Sequence, residues 1–244
     1  MNRSNLFISL ILGVSFVCGS WFISNMLKKK NQTNDVIMVT GLAEENFSSD
    51  LIVWKGSFNR LTMDLKESYK LLKTDENIVK TYLKEKGIGD NEMVFSSVAI
   101  NQDYEYITEP NGGSRRIFNG YRLVQTVRIE SKDVPKIEKI SREVTELIDR
   151  GVELNSEAPQ YYYTKLADLK IKMIANATKD ARERAEKIAE NAKAKLGQLQ
   201  QADMGIFQIT AQNSSEEYSW GGTLNTTSKE KTASITMKLQ FSTH

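Results

Sequence analysis

Hydrophobic positions recur along this chain with the periods of both strand and helix, and the first apolar stretch has no period at all. Residues 6–27, LFISLILGVSFVCGSWFISNML, carry no charged side chain and run straight into Lys28, Lys29 and Lys30. As a helix the run would be about 33 Å long, enough for a bilayer's hydrocarbon core. Its Leu, Ile, Phe and Val side chains favour insertion by about 4–7 kcal/mol in total. It predicts one N-terminal transmembrane helix, anchored by Leu6, Leu10, Val14, Val17, Phe22 and Leu27. The small step Cys18-Gly19-Ser20 resembles a cleavage site, but the apolar run continues past it, which favours a retained anchor.

Beyond a polar linker at 31–35, the pattern divides into strands of period two and helices of period 3.6. Val36–Val39 reads as a strand ending at Gly41, and Leu51–Leu61 as another with Ile52, Trp54 and Phe58 on one face. Leu65, Tyr69, Leu72, Val79 and Leu83 predict a helix over 63–86, stopped by Gly87. Glu92–Ile107 and Arg116–Ile129 predict a long hairpin about Pro110-Asn111-Gly112-Gly113. A second helix follows over 134–148, closed by Gly151. Val152–Tyr163 is read as extended, with an edge or break at Pro159. Leu169, Met173, Ala177, Ala181, Ala185, Ile188, Ala192 and Leu196 mark a third, long helix closed by Gly197. Strands at 202–211 and 234–241 finish the chain, and Ile235, Met237, Leu239 and Phe241 share the inward parity of the last. The prediction is an α+β fold: a largely antiparallel sheet packed with three helices, the last long and Ala-rich, preceded by one transmembrane helix. Residues 1–30 form the anchor, 31–35 the linker and 36–244 the domain.

Charge and reactive residues narrow the function. The formal net charge is +2, and no basic run beyond Lys28–Lys30 marks a nucleic-acid surface. The sole cysteine is Cys18, within the apolar run, and the sole histidine is His244. No Ser-His-Asp or Cys-His pair, zinc cluster, phosphate loop or dinucleotide fingerprint can be assembled. No catalytic, cofactor-binding or metal-binding residue is therefore assigned, and no catalysis is expected.

Three stretches do carry a resemblance. Val39-Thr40-Gly41-Leu42-Ala43-Glu44 leads into the first hairpin, and Ala177-Thr178-Lys179-Asp180-Ala181-Arg182-Glu183-Arg184-Ala185-Glu186-Lys187-Ile188-Ala189 runs on to Leu196-Gly197. Thr232-Ala233-Ser234-Ile235-Thr236-Met237 opens the last strand. In this order they resemble the SIMPL-domain family, bacterial envelope proteins of poorly defined role. The resemblance implies an exported protein, a domain on the periplasmic face of the inner membrane, and assembly into oligomers. Lysine counting alone would put the domain in the cytoplasm. The family motif residues Gly41, Ala181, Arg182, Ala185, Glu186, Ala189, Leu196 and Gly197 are read as structural: the alanines as tight packing or part of a subunit interface, the charges as a solvated face.

The remaining candidate is the Ser/Thr/Gly-rich excursion from Asn213 to Lys229, where Tyr218 and Trp220 either fold back onto the core or meet a partner. The expectation is a membrane-anchored periplasmic or envelope module, structural or for interaction, associating with itself and with an envelope protein partner. The alternative is a binding protein for a small apolar or aromatic ligand, walled by Trp220 and Tyr161–Tyr163. A carboxylate-based enzyme comes third.

Overall fold

The computed structural model describes residues 13, 15–22, 24, 35–108 and 112–243. In chain order the elements are α1 (residues 15–22), β1 (Val36–Ser48), β2 (Leu51–Thr62), α2 (Leu65–Glu85), β3 (Met93–Phe95), β4 (Ala99–Thr108) and β5 (Ser114–Ser131). Then come α3 (Val134–Glu143), a 3-10 helix (Val144–Arg150), β6 (Leu154–Ser156), β7 (Gln160–Tyr162), α4 (Leu166–Asn191), β8 (Leu196–Met204), β9 (Gln208–Ala211) and β10 (Glu230–Thr243).

The expected fold needs correcting at its N-terminus. No helix among the described residues is long and apolar enough to cross a membrane. Of the expected anchor positions, Val17 and Phe22 lie in α1 and are exposed, whereas Leu6, Leu10, Val14 and Leu27 lie outside the described residues. Four α-helices lie among the described residues, and the second helix expected over 134–148 is divided: α3 ends at Glu143 and its apolar period runs on into the 3-10 helix, where Val144 and Leu147 are fully buried.

The described residues form two compact units. The larger comprises 43–175 and 206–235. Its six-stranded sheet has the order β3-β5-β2-β6, with β4 also on β5 and β7 also on β2, all antiparallel. The predicted face of β2 is the buried one: Ile52, Trp54 and Phe58 pack with Leu72, Val79, Tyr82 and Leu83 of α2 and with Ile137 and Ile140 of α3. Caps fix the helix starts. Asp64 accepts from the Glu67 N–H at 2.8 Å, and Asp133 from that of Lys136 at 3.3 Å. Gly87 and Gly151 adopt left-handed φ of 82° and 81° after their helices, as C-terminal stops require. Buried Asp75 takes a two-pronged hydrogen bond from Arg60, at 2.6 and 2.8 Å, and Arg60 also donates to the Gly151 carbonyl.

The smaller unit comprises the described residues of 1–42 with 176–205 and 236–244. Its strands run in the order β1-β10-β8. The core is thin: Val39, Met237, Leu239 and Phe241 from the sheet, and Ala177, Ala181, Ala185 and Ala189 from α4. Gly41 lies inside β1, not at its end, and explains the alanines. A Cβ built there would overlap the Ala177 carbonyl oxygen and the Ala181 amide nitrogen, and would sit 2.7 Å from the Ala181 Cβ. Strand and helix meet backbone to backbone, and Asp180 Oδ2 accepts from the Leu42 N–H at 2.8 Å.

The long helix ends earlier than its period suggests. It stops at Asn191, Lys193 takes a left-handed φ of 56°, and Ala194 N–H donates back to the Ala189 carbonyl at 2.9 Å. Leu196 and Gly197 open β8 and do not close the helix. Ala189, not Ile188, continues the buried stripe; Ile188 is exposed.

Gly41→Ala is expected to cost about 1–3 kcal/mol by overpacking and to lower the thermal midpoint by several degrees. Gly221→Ala is the control, because a Cβ there meets nothing closer than Ser219 Oγ at 4.0 Å. Equal midpoints for the two variants would contradict the backbone contact.

Candidate interaction site

The excursion from Asn213 to Lys229 leaves and re-enters the larger unit between β9 and β10, whose first part pairs with β9 from Lys231–Ala211 to Ser234–Gln208. A long polar loop has few apolar contacts to hold it, so its order must come from hydrogen bonds. Four side chains supply them. Buried Gln208 bridges the tip: its Nε2 donates to the Ser219 carbonyl at 2.8 Å and its Oε1 accepts from the Thr223 N–H at 2.7 Å. Between those anchors Gly222 N–H donates to the Ser219 carbonyl at 3.0 Å, with Gly222 at a φ of 90°.

Asn225, also buried, closes the far side. Its Oδ1 accepts from the N–H groups of Thr227 and Ser228 at 3.1 and 2.9 Å, an Asx turn. Its own N–H donates to the Ile209 carbonyl at 2.9 Å. Glu216 accepts from Asn225 Nδ2 through one oxygen and from the Ala211 N–H through the other at 2.9 Å. The fourth is Lys231, 2% exposed, whose ammonium donates to the carbonyls of Asn225, at 2.6 Å, and Ser228. Burial pushes the Lys231 pKa below the usual lysine value, and the nearby Glu216 carboxylate opposes that shift.

This scaffold places the two predicted aromatics differently from either expectation of a wall or a core residue. Trp220 is 96% exposed at the tip and Tyr218 is 61% exposed beside it. Ile206 and Leu224 are exposed as well. Tyr161, Tyr162 and Tyr163 instead line a cavity of about 40 Å³ with Phe47, Leu166, Ile209, Leu224, Asn225 and Lys231, and Trp220 is not part of it. That volume is far below the roughly 300–1,000 Å³ of small-molecule pockets. Two of the lining residues, Phe47 and Tyr163, have ring centroids 4.8 Å apart. The Tyr161 hydroxyl donates to Glu138 at 3.0 Å, and burial, then that carboxylate, push its pKa up to about 12.

The family-motif residues lie apart from this loop in the sequence and pair or pack with their own neighbours. Ala181, Ala185 and Ala189 are buried in the smaller unit, so the stripe is spent on its own sheet. Arg182 pairs with Glu186 at 2.9 Å on an exposed helical face. Asp180 is held below the ordinary carboxylate range by the Leu42 N–H and, next, by Arg184. His244 lies outside the described residues.

Sequence reasoning missed Gln208, Glu216, Asn225 and Lys231. One signal was available: Lys231 shares the inward parity of Ala233, Ile235, Met237, Leu239 and Phe241.

Residues 37–241 match the family described as SIMPL, protein of unknown function (DUF541), and the chain belongs to that family. No curated protein matches it.

Lys231→Met is expected to strand two carbonyls and cost about 1–3 kcal/mol, with faster proteolysis inside 213–229. The pH dependence carries a sign. A lysine with a lowered folded-state pKa loses its proton in the folded chain before the unfolded one, so its contribution to stability grows as pH rises towards 10.5. Tyr161 acts oppositely, losing stability from about pH 10 upward through about 12. Denaturant titrations should show the gap between wild type and Lys231→Met widening from neutral pH to about 10; a constant gap contradicts the assignment.

Proposed function

We propose that this SIMPL protein is a non-catalytic interaction module of the cell envelope, which associates with itself and presents Trp220 and Tyr218 to an envelope protein. The observation that carries the reading is a tryptophan 96% exposed on a loop whose backbone is held on both flanks by buried polar side chains. A pre-ordered aromatic loses little conformational freedom on binding, and Trp and Tyr lead among residues that dominate interface energy. A solvated tryptophan with no contact to make is a poor use of such a scaffold. Contact rather than chemistry is supported by the sequence, whose only Cys and His are Cys18 and His244. The envelope location rests on the family resemblance and on the uncharged residues 6–27, which suit an export address.

In envelope extracts the chain is expected in complexes larger than those of the purified protein. Trp220→Ala should reduce them to the purified size with the thermal midpoint unchanged; complexes of undiminished size would rule out the aromatic contact. Protease added to intact spheroplasts is expected to digest the domain, whereas protection until lysis would put it in the cytoplasm.

A further inference from the structure

Three side chains at the base of the loop, Lys231, Asn225 and Glu216, meet more closely than holding the backbone requires. The Lys231 ammonium has three neighbours: the carbonyls of Asn225, at 2.6 Å, and Ser228, and the side-chain Oδ1 of Asn225 at 3.4 Å. Two of its protons go to the carbonyls, and the third makes only the long contact to Oδ1. Removal of that third proton leaves a lone pair facing the Asn225 carboxamide. The carboxamide is held in turn. Its Oδ1 accepts from the N–H groups of Thr227 and Ser228 at 3.1 and 2.9 Å, and its Nδ2 donates to Glu216 Oε1 and, at 3.3 Å, to Thr227 Oγ1. Lys231 and Asn225 are 2% and 8% exposed, and both border the cavity walled by Phe47, Tyr161, Ile209 and Leu224.

Each neighbour has a part in forming an amide. Desolvation favours the neutral, nucleophilic form of an amine. Two N–H groups on Oδ1 make a hole for the charge that oxygen would gain, and a carboxylate on Nδ2 is placed to bring a proton to a leaving nitrogen. We propose that Lys231 and Asn225 join in a side-chain amide, Nζ to Cγ, with Glu216 as the catalytic proton carrier. Glu216 takes one proton from the ammonium, the freed Nζ pair forms the bond to Cγ, and the C=O pair moves onto Oδ1. Glu216 then passes its proton to Nδ2. The C=O re-forms, the Cγ–Nδ2 bond breaks with its electrons on nitrogen, and ammonia departs with the surplus Nζ proton. An ammonium group and a carboxamide thus give a secondary amide and an ammonium ion, with nothing oxidised or reduced. Glu216 is exposed, which opens a way out for the ion, and its charge already acts on Lys231. Each chain reacts once, so the step is self-modification without turnover, and it goes beyond the interaction reading without depending on what Trp220 contacts. The link would tie the leg of the loop that follows Trp220 to β10 by a bond that unfolding does not break. An amide nitrogen does not titrate, so the pH-dependent gap expected for Lys231→Met is read on chain that has not reacted.

Mass spectrometry of the full chain, denatured after incubation of the folded protein at alkaline pH, tests the link. Wild type is expected to be lighter than its sequence by one ammonia, about 17 Da, with fragmentation placing the loss in a peptide that joins Asn225 to Lys231. Lys231→Arg keeps a cation with N–H donors for the two carbonyls but does not form the amide, and should retain its full mass. Glu216→Gln keeps an acceptor for Nδ2 but carries no proton, and conversion should slow by about a hundredfold or more. Thermal melts show whether the variants are folded; if arginine does not fit at 231, the slowing in Glu216→Gln, which leaves Lys231 and Asn225 in place, carries the test. A folded wild-type chain that stays at full mass overturns the proposal. So does an ammonia loss that persists in Lys231→Arg, the signature of a succinimide at Asn111-Gly112 or Asn119-Gly120.

Discussion

A strand backbone can lie against a helix backbone only where both give up their side chains at the crossing. β1 gives up its side chain at Gly41 and α4 presents alanine, and the geometry leaves no room for a methyl group on the strand. Among its described residues the smaller unit buries few side chains, so it has little other packing to offset a widened gap; a separation of even about 1 Å forfeits much of the dispersion energy along the contact. Asp180 adds direction to the contact by receiving the Leu42 N–H. Gly41, Ala177 and Ala181 of the family motif are thus accounted for by one steric requirement.

Where one face of an element is buried and the other wet, the hydrophobic pattern was legible. Ile52, Trp54 and Phe58 on β2 and the alternating residues of β10 are buried as their parity implies. Where an ending depends on local backbone rather than on burial, the pattern was mute. Ala192, Lys193, Ala194 and Lys195 are all good helix formers, yet the helix stops among them because Lys193 accepts a left-handed conformation that a glycine usually supplies. Likewise the strand expected over 202–211 is two, split where Gly205 N–H turns to the Thr236 carbonyl.

The candidate site was half legible. Trp220 stood out because a large aromatic in a polar, glycine-flanked loop is costly unless used. Its supports did not, since Gln208 and Asn225 read as ordinary loop or strand polars until the topology brings Ser219, Thr223 and Ile209 beside them. The Arg60–Asp75 pair was hidden in the same way, joining β2 to α2 across the core.

The polar groups of the loop also constrain what the site can do. Gln208 satisfies backbone on both flanks of the tip, Glu216 divides its two oxygens between Asn225 and Ala211, and Lys231 directs its protons to two carbonyls. These side chains commit their lone pairs and protons to the loop. Buried polar networks that are fully used rigidify a single conformation. What such a network offers to the outside is the shape it holds, and here the residues left outside it are Trp220 and Tyr218. Rigidity of this kind suits the proposed interface anchor, because ordering paid during folding is not paid again on contact.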